Sequence, residues 1–156
     1  MWAAYLETIG ENAVTTTREL SAWHFGDNEK DANELADLAR RGIKRATSPS
    51  LWYFESTNQP LPEAGDLHVV TDWAGEAQCV IRTTAVHIVP FNRITAEYAA
   101  IEGEGDRTLE YWRDVHWAYY HRELAGTVHR PEPHMPIVCE YFETVFPINS
   151  TTQGPE

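Results

Sequence analysis

At 156 residues with 42% hydrophobic side chains, the chain is long enough for one domain around a single core, and 23% charged residues place it among ordinary globular sequences, not disordered ones. Twenty-four acidic residues against 12 basic ones leave a net charge of −12. Long nucleic acids are held largely by neutralising phosphates with Lys and Arg, so this balance excludes a general duplex-DNA surface and favours a small ligand or a short single-stranded segment in one pocket.

No apolar run approaches the roughly 20 residues of a membrane span. The N-terminal Met1-Trp2-Ala3-Ala4-Tyr5-Leu6-Glu7 lacks the basic lead of a secretory signal, and the expected location is cytoplasmic. In chain order, residues 2–9 place Trp2, Tyr5, Leu6 and Ile9 at helical spacing, predicting a short amphipathic helix. Residues 28–41 read as a second helix, with Asn28 or Asp27 as cap, an inward stripe of Ala32, Leu35, Ala36 and Ala39, and Gly42 in the left-handed position past its end. Leu51 to Phe54 reads as a short strand. Residues 67–72, 78–90 and 136–146 read as strands. The middle one is apolar on both parities, as in a strand covered on both sides, and Pro90 stops it.

Residues 95–102 predict a short helix capped by Thr95, with Ile94, Tyr98 and Ile101 inward and Gly103 and Gly105 breaking it. Residues 107–124 predict a longer helix. Its Trp112, Trp117, Tyr119 and Tyr120 are assigned to packing, and His116 falls on the same side. Residues 1–148 are expected as one domain and 149–156 as a disordered polar tail. Cys79 and Cys139 lie in apolar strand-like stretches with no C-x-x-C pairing, which predicts two buried thiols. The seven histidines lack ligand spacing, so no histidine metal site is expected.

Three constellations carry chemistry. Arg40, Arg41, Lys44 and Arg45 put four of the 12 basic residues within six positions, followed by hydroxyls and by Trp52-Tyr53-Phe54. Such an island offers phosphate donors in Arg41, Lys44 and Arg45 and stacking faces in Trp52 and Tyr53, with Trp73 as a second stacking candidate. Lys44 and Thr47, three apart on a tight turn, can converge, and partial desolvation would lower the lysine pKa enough for it to serve as a base toward the threonine hydroxyl. The loop Glu102-Gly103-Glu104-Gly105-Asp106 supplies three carboxylates that could orient a substrate, act as acid or base, or hold Mg²⁺ or Mn²⁺, or else form a solvated loop whose Asp106 caps the next helix. Arg82, in mid-strand, either clamps an anion or pairs with a surface acid.

Gly42-Ile43-Lys44-Arg45-Ala46-Thr47 resembles the G-x-K-x-x-T signature of the ASCH domain. The segments that follow resemble the rest of that domain in order: Pro62 to Val70, Cys79 to Val89, the acidic loop into Leu109 to Arg113, and Pro136 to Phe142, over roughly residues 20–146. The resemblance implies an α+β fold, a PUA-like mixed and mainly antiparallel β-barrel wrapped by three or four helices. Its cleft would lie between residues 42–53 and the 102–106 loop. Larger ASCH proteins look like RNA-cleaving enzymes and some small ones like amidohydrolases on acylated cytidine using a lysine, a threonine and a glutamate. Carried over, those roles fall on Lys44, Thr47 and Glu102, with Glu104 as the alternative acid or as a substrate contact. The expected ligands are therefore single-stranded RNA or a nucleoside or nucleotide, with hydrolysis of an RNA or of an acylcytidine, or a regulatory module that only binds RNA.

Overall fold

The computed structural model describes residues 1–147, and the expected tail at 149–156 lies outside them. Five α-helices flank one five-stranded sheet: α1 Trp2–Thr8, β1 Ser21–Trp23, α2 Glu29–Arg40, β2 Ala46–Thr47, α3 Leu51–Thr57, β3 Leu67–Thr71, β4 Ala77–Pro90, α4 Ala96–Glu102, α5 Leu109–Glu123 and β5 Pro136–Phe146. The strand order is β1-β3-β4-β5-β2; β1 runs parallel to β3 and every other pair is antiparallel. The long β4 shifts register against β5 after Val80 and again after Thr83. Such bulges bend a strand and raise its twist, which curls a sheet toward a barrel.

Local signals set most of the helices. Asn28 caps α2 by accepting the Asp31 N–H at 3.0 Å, Ala32, Ala36 and Ala39 are buried along one face, and Gly42 takes φ +71 just past the end. The Ile43 and Lys44 amides then both return to the Leu38 carbonyl, so the chain leaves α2 in a sharp turn. Thr95 caps α4 as expected. The cap of α5 is Thr108, and Asp106 instead accepts the Thr108 N–H and hydroxyl, one step earlier in the turn.

The segment expected as a strand at residues 51–54 is the start of α3. Aromatic residues favour strands by propensity, but the Ser50 hydroxyl accepts the Tyr53 N–H at 3.1 Å and Asn58 closes the helix in the left-handed region. This brings the α-helices of the described residues to five, against the three or four expected. β1 and β2 escaped prediction because three- and two-residue strands show no alternation. Both faces of β4 are covered at Cys79, Val80 and Ile81, but Ile88 is 49% exposed, so double coverage is confined to its first part. Ile9, expected inward, is exposed beyond α1, while Tyr5 and Leu6 pack on Val69 and Val80.

One apolar cluster joins α4 and α5 to β5 through Tyr98, Trp112, Tyr120, Ile137 and Cys139; another joins α2 to the sheet through Ala36, Ala39, Ile81 and Phe142. Alternation along β5 therefore sends Ile137 and Cys139 to one side and Phe142 to the other, and the second side opens into a cavity. Cys79 and Cys139 are buried free thiols. Among the described residues, no helix is long and apolar enough to cross a membrane.

Candidate functional site

A cavity of about 1000 Å³ opens between β1, the first half of α2, the Lys44–Tyr53 segment, residues 59–62 and the inner face of α5. Lys44, Thr47, Ser48, Tyr53 and Glu104 line it, as expected of a cleft between residues 42–53 and 102–106. β1 and the residues just after it supply a wall that the sequence did not reveal, with Trp23, His24 and Phe25.

Two close approaches hold the two halves of the site together. The Arg45 N–H donates to the Ile101 carbonyl at 3.0 Å. Gly103 sits at φ +74 with its missing Cβ position 2.5 Å from the Ile43 carbonyl oxygen, a distance no side chain tolerates. The backbone before Lys44 thus lies directly against the backbone between Glu102 and Glu104. Tyrosines fix the next segment: Tyr98 Oη donates to the Thr47 carbonyl at 2.9 Å and Tyr120 Oη to the Ser48 carbonyl at 2.7 Å.

The result is a buried charge cluster. Lys44 is 1% exposed, with its Nζ 2.5 Å from Glu104 Oε1, 3.5 Å from Glu102 Oε2 and 5.0 Å from the Phe25 ring centre. Glu102 is fully buried and also takes the Ser48 hydroxyl on Oε1 and His116 Nε2 on Oε2, the latter at 3.3 Å. His116 Nδ1 lies 2.8 Å from the Trp112 carbonyl. Both imidazole nitrogens therefore face acceptors, and satisfying both requires the imidazolium form.

The protonation preferences follow. Burial alone would depress the Lys44 pKa, but the charges of Glu102 and Glu104 more than offset it and the net shift is upward. Burial would raise Glu102; Lys44 first, then His116 and Ser48, hold it far below the usual carboxylate range. Burial lowers the His116 pKa, and Glu102 reverses that shift and carries it above the ordinary value. Glu104 is raised, by burial first, with the Glu102 charge adding to it against the pull of Lys44. Lys44 is thus a clamped ammonium, correcting the expectation that desolvation makes it a base. On the cavity side of the cluster, the carboxyl whose burial favours holding a proton is Glu104, whose side chain is 14% exposed. Glu102 stands behind it and does not line the cavity.

Glu102, Glu104 and His116 offer ligand atoms within 4.8 Å of one another. The Lys44 ammonium already touches both carboxylates, so a divalent ion would have to displace it. Asp106, the third carboxylate of the expected Mg²⁺ or Mn²⁺ set, is exposed and held by Thr108.

The other expected contacts divide. Tyr53 lines the cavity. Arg41, Arg45, Trp52, Trp73 and Arg82 do not. Arg41 is exposed and lies 3.4 Å from Asp37, to which Arg40 also bonds. Arg45 is exposed. Trp52 stacks on His129 with ring centres 4.4 Å apart, Trp73 packs beside His24, and Arg82 pairs with Glu143 at 2.5 Å. The basic island dissolves because Arg40 and Arg41 turn to Asp37 on their own helix and Arg45 is exposed away from the cavity. The cavity instead carries six carboxylates, Asp31, Glu34, Asp66, Glu104, Glu123 and Glu140, against Lys44 and Arg122, and Arg122 is bound to Asp27.

Sequence reasoning missed His116, Ser48, His68, Glu123 and Glu140. Two carried a usable signal. Glu140 is the lone carboxylate in the apolar run Ile137–Phe142, and His68 the lone polar side chain in Leu67–Val70. His116 looked like packing, because helical spacing shows that a residue faces inward but not what it meets.

The family model for the ASCH domain matches residues 21–146. Among solved structures, an ASCH domain from Lactobacillus crispatus JV V101 superposes with a TM-score of 0.82 at 32% identity, covering 90% of this chain and 89% of that one. Protein EF3133 from Enterococcus faecalis V583 gives 0.81 at 32% identity, covering 92% and 85%. The hypothetical protein PH0355, at 17% identity and a TM-score of 0.52 over 81% of this chain and 100% of that one, shares the fold. No curated protein matches. The five-stranded, mainly antiparallel α+β architecture fits a PUA-like fold, and the chain belongs to the ASCH domain family, which is associated with RNA binding.

Proposed function

We propose that the protein is a hydrolase for a small amide built on a nucleoside-like ring, taken into the cavity as a free molecule. The observation that carries this reading is the Lys44 ammonium clamped at the cavity wall by Glu104 and Glu102, with Thr47 on the same wall. The acid-rich lining disfavours a ligand with several phosphates, which ranks a nucleoside ahead of an RNA strand and keeps duplex DNA out.

In this mechanism Thr47 Oγ1 attacks the acyl carbon and its proton passes to the Glu104 carboxylate. The Lys44 ammonium stabilises the oxyanion that forms. Glu104, now protonated, returns the proton to the amide nitrogen as the carbon–nitrogen bond breaks and the amine leaves. Water then cleaves the Thr47 ester and releases the acid. Glu102, out of contact with the cavity, positions Lys44 and balances its charge.

The test is release of cytidine from N4-acetylcytidine, followed by chromatography. We expect turnover that Thr47→Val and Glu104→Gln each reduce by about 100-fold or more and that EDTA leaves unchanged. Undiminished turnover in Thr47→Val would overturn the assignment. Cleavage of single-stranded RNA that EDTA suppresses would put the RNA reading ahead of this one.

A further inference from the structure

We propose that His68 and Glu140, on the sheet wall of the cavity, form a recognition subsite for a heteroaromatic ring that carries an exocyclic amino group. This rests on the reading that the cavity holds a nucleoside-like ligand, but it concerns which ring is bound and is tested by binding alone.

His68 lies on β3, paired with Ser21 of β1 and Ile81 of β4, and its side chain lines the cavity. Both ring nitrogens are buried, and neither has a hydrogen-bond partner among the described residues. Burial lowers its pKa, with the Asp66 charge opposing. The ring is therefore neutral near pH 7 and offers one donor and one acceptor, both unspent. Buried polar groups nearly always find partners, and an orphan pair on a cavity wall is the mark of a position that a ligand completes.

Glu140 lies on β5, 5% exposed, on the side of the strand that faces the cavity. Its Oε1 accepts the Thr83 hydroxyl at 2.6 Å, and among the described residues Oε2 has no hydrogen-bond partner. Burial raises its pKa, and the nearby Asp66 adds to the rise. Asp66 thus acts on both His68 and Glu140, and all three line one cavity. Glu140 also pairs in register with Thr47 across the β2–β5 ladder, and residues directly opposite in an antiparallel pair project to the same face. The subsite therefore adjoins the reacting wall. Trp23, with its ring centre 5.7 Å from that of His68, supplies an apolar face for the ring.

The chemistry selects an edge. An exocyclic amino group donates to Glu140 Oε2, and the neighbouring ring nitrogen accepts from His68. An oxo group in that place sets lone pairs against the carboxylate and leaves it unpaired. Negative charge beyond Glu140, at Asp66, deepens that rejection.

The experiment is calorimetric titration of the protein with two matched pairs, cytidine against uridine and adenosine against inosine, each differing in an amino or oxo group. We expect the amino member of at least one pair to bind about tenfold tighter or more. Glu140→Gln, whose amide presents N–H to an oxo group, should narrow that preference to within about threefold, and His68→Leu should weaken the favoured ligand. If Glu140→Gln fails to fold by circular dichroism, Thr83→Val, which frees the Glu140 carboxylate to rotate, should show the same narrowing. Equal or tighter binding of both oxo members, no binding of any nucleoside at millimolar concentration, or an unchanged preference in the folded variants would each overturn the proposal. An amino preference without amide hydrolysis would sink the proposed mechanism and leave this subsite standing; hydrolysis without the preference would do the reverse.

Discussion

His116 Nε2 meets Glu102 Oε2 at 3.3 Å while Nδ1 meets the Trp112 carbonyl at 2.8 Å, so one histidine ties the buried carboxylate to the body of α5. The same carboxylate takes Lys44 and Ser48. Glu102 is therefore the hub on which the lysine, the histidine and the Thr47–Ser48 segment are hung. The stability of the fold and the geometry of the site are coupled through it.

Lys44→Met keeps the length of the side chain and deletes the charge. Glu102 and Glu104 are then left facing each other in the interior, and removing one partner of a buried ion pair costs about 3–5 kcal/mol. The loss should appear as a lower urea midpoint at pH 7 and recover partly at pH 4, where Glu104 protonates. A midpoint within error of the parent would show that the cluster is not coupled to stability.

The histidine gives a pH signature. Its folded pKa is raised above the ordinary 6.5, so its stabilisation is fully present below about 6.5 and fades as pH rises through the folded value. His116→Asn should cost about 1.5–3 kcal/mol at pH 6, the usual worth of a hydrogen bond to a charged group, and less at pH 9. Thermal melts at the two pH values check it; a penalty that grows with pH would contradict the imidazolium assignment.

The contrast between what the sequence shows and what it hides follows from range. α2 with Asn28 and Gly42, α4 with Thr95, and the spans of β3, β4 and β5 are written in residues a few positions apart, and the sequence predicts them. The Lys44 environment is not, because its partners lie 58 and 60 positions away. The motif brought Lys44, Thr47 and the acidic loop to one cleft, but only the fold separates Glu104, at the cavity, from Glu102 behind it. Counting Arg41 as a site charge ignored Asp37, one helical turn back. α3 shows the same limit from the other side: an aromatic run favours a strand until the Ser50 cap and the close of the helix at Asn58 decide otherwise.

Gly103→Ala tests the backbone contact that assembles the site. A Cβ there meets the Ile43 carbonyl, and φ +74 is costly for alanine. We expect about 2 kcal/mol or more of lost stability. Any turnover should fall further than the loss of folded protein explains, because Lys44 and Glu104 sit on the two segments pushed apart. Gly65→Ala is the control: it also has positive φ, at +100, but its Cβ meets nothing, so strain is present without displacement of the site.

Glu123 provides a second, opposite pH dependence. Burial pushes its carboxyl from an ordinary 4.5 up to about 7, partly opposed by the Ser50 hydroxyl, which donates to it at 2.6 Å. A carboxyl with a raised folded pKa leaves the folded state holding more protons than the unfolded one between about 4.5 and 7. Stability therefore falls as pH rises through that window, and the full penalty is present above it. Glu123→Gln keeps an oxygen for Ser50 and removes the charge. The variant should match the parent near pH 4.5 and exceed it by up to about 3 kcal/mol at pH 8, the worth of the shift at 1.36 kcal/mol per unit. Because Ser50 caps the helix that carries Tyr53 into the cavity, the variant should also lose pH dependence in ligand affinity across the same interval. Urea unfolding from pH 4.5 to 8 checks the first part and titration with a bound nucleoside the second; parallel stability curves for parent and variant would show that Glu123 does not titrate in this window.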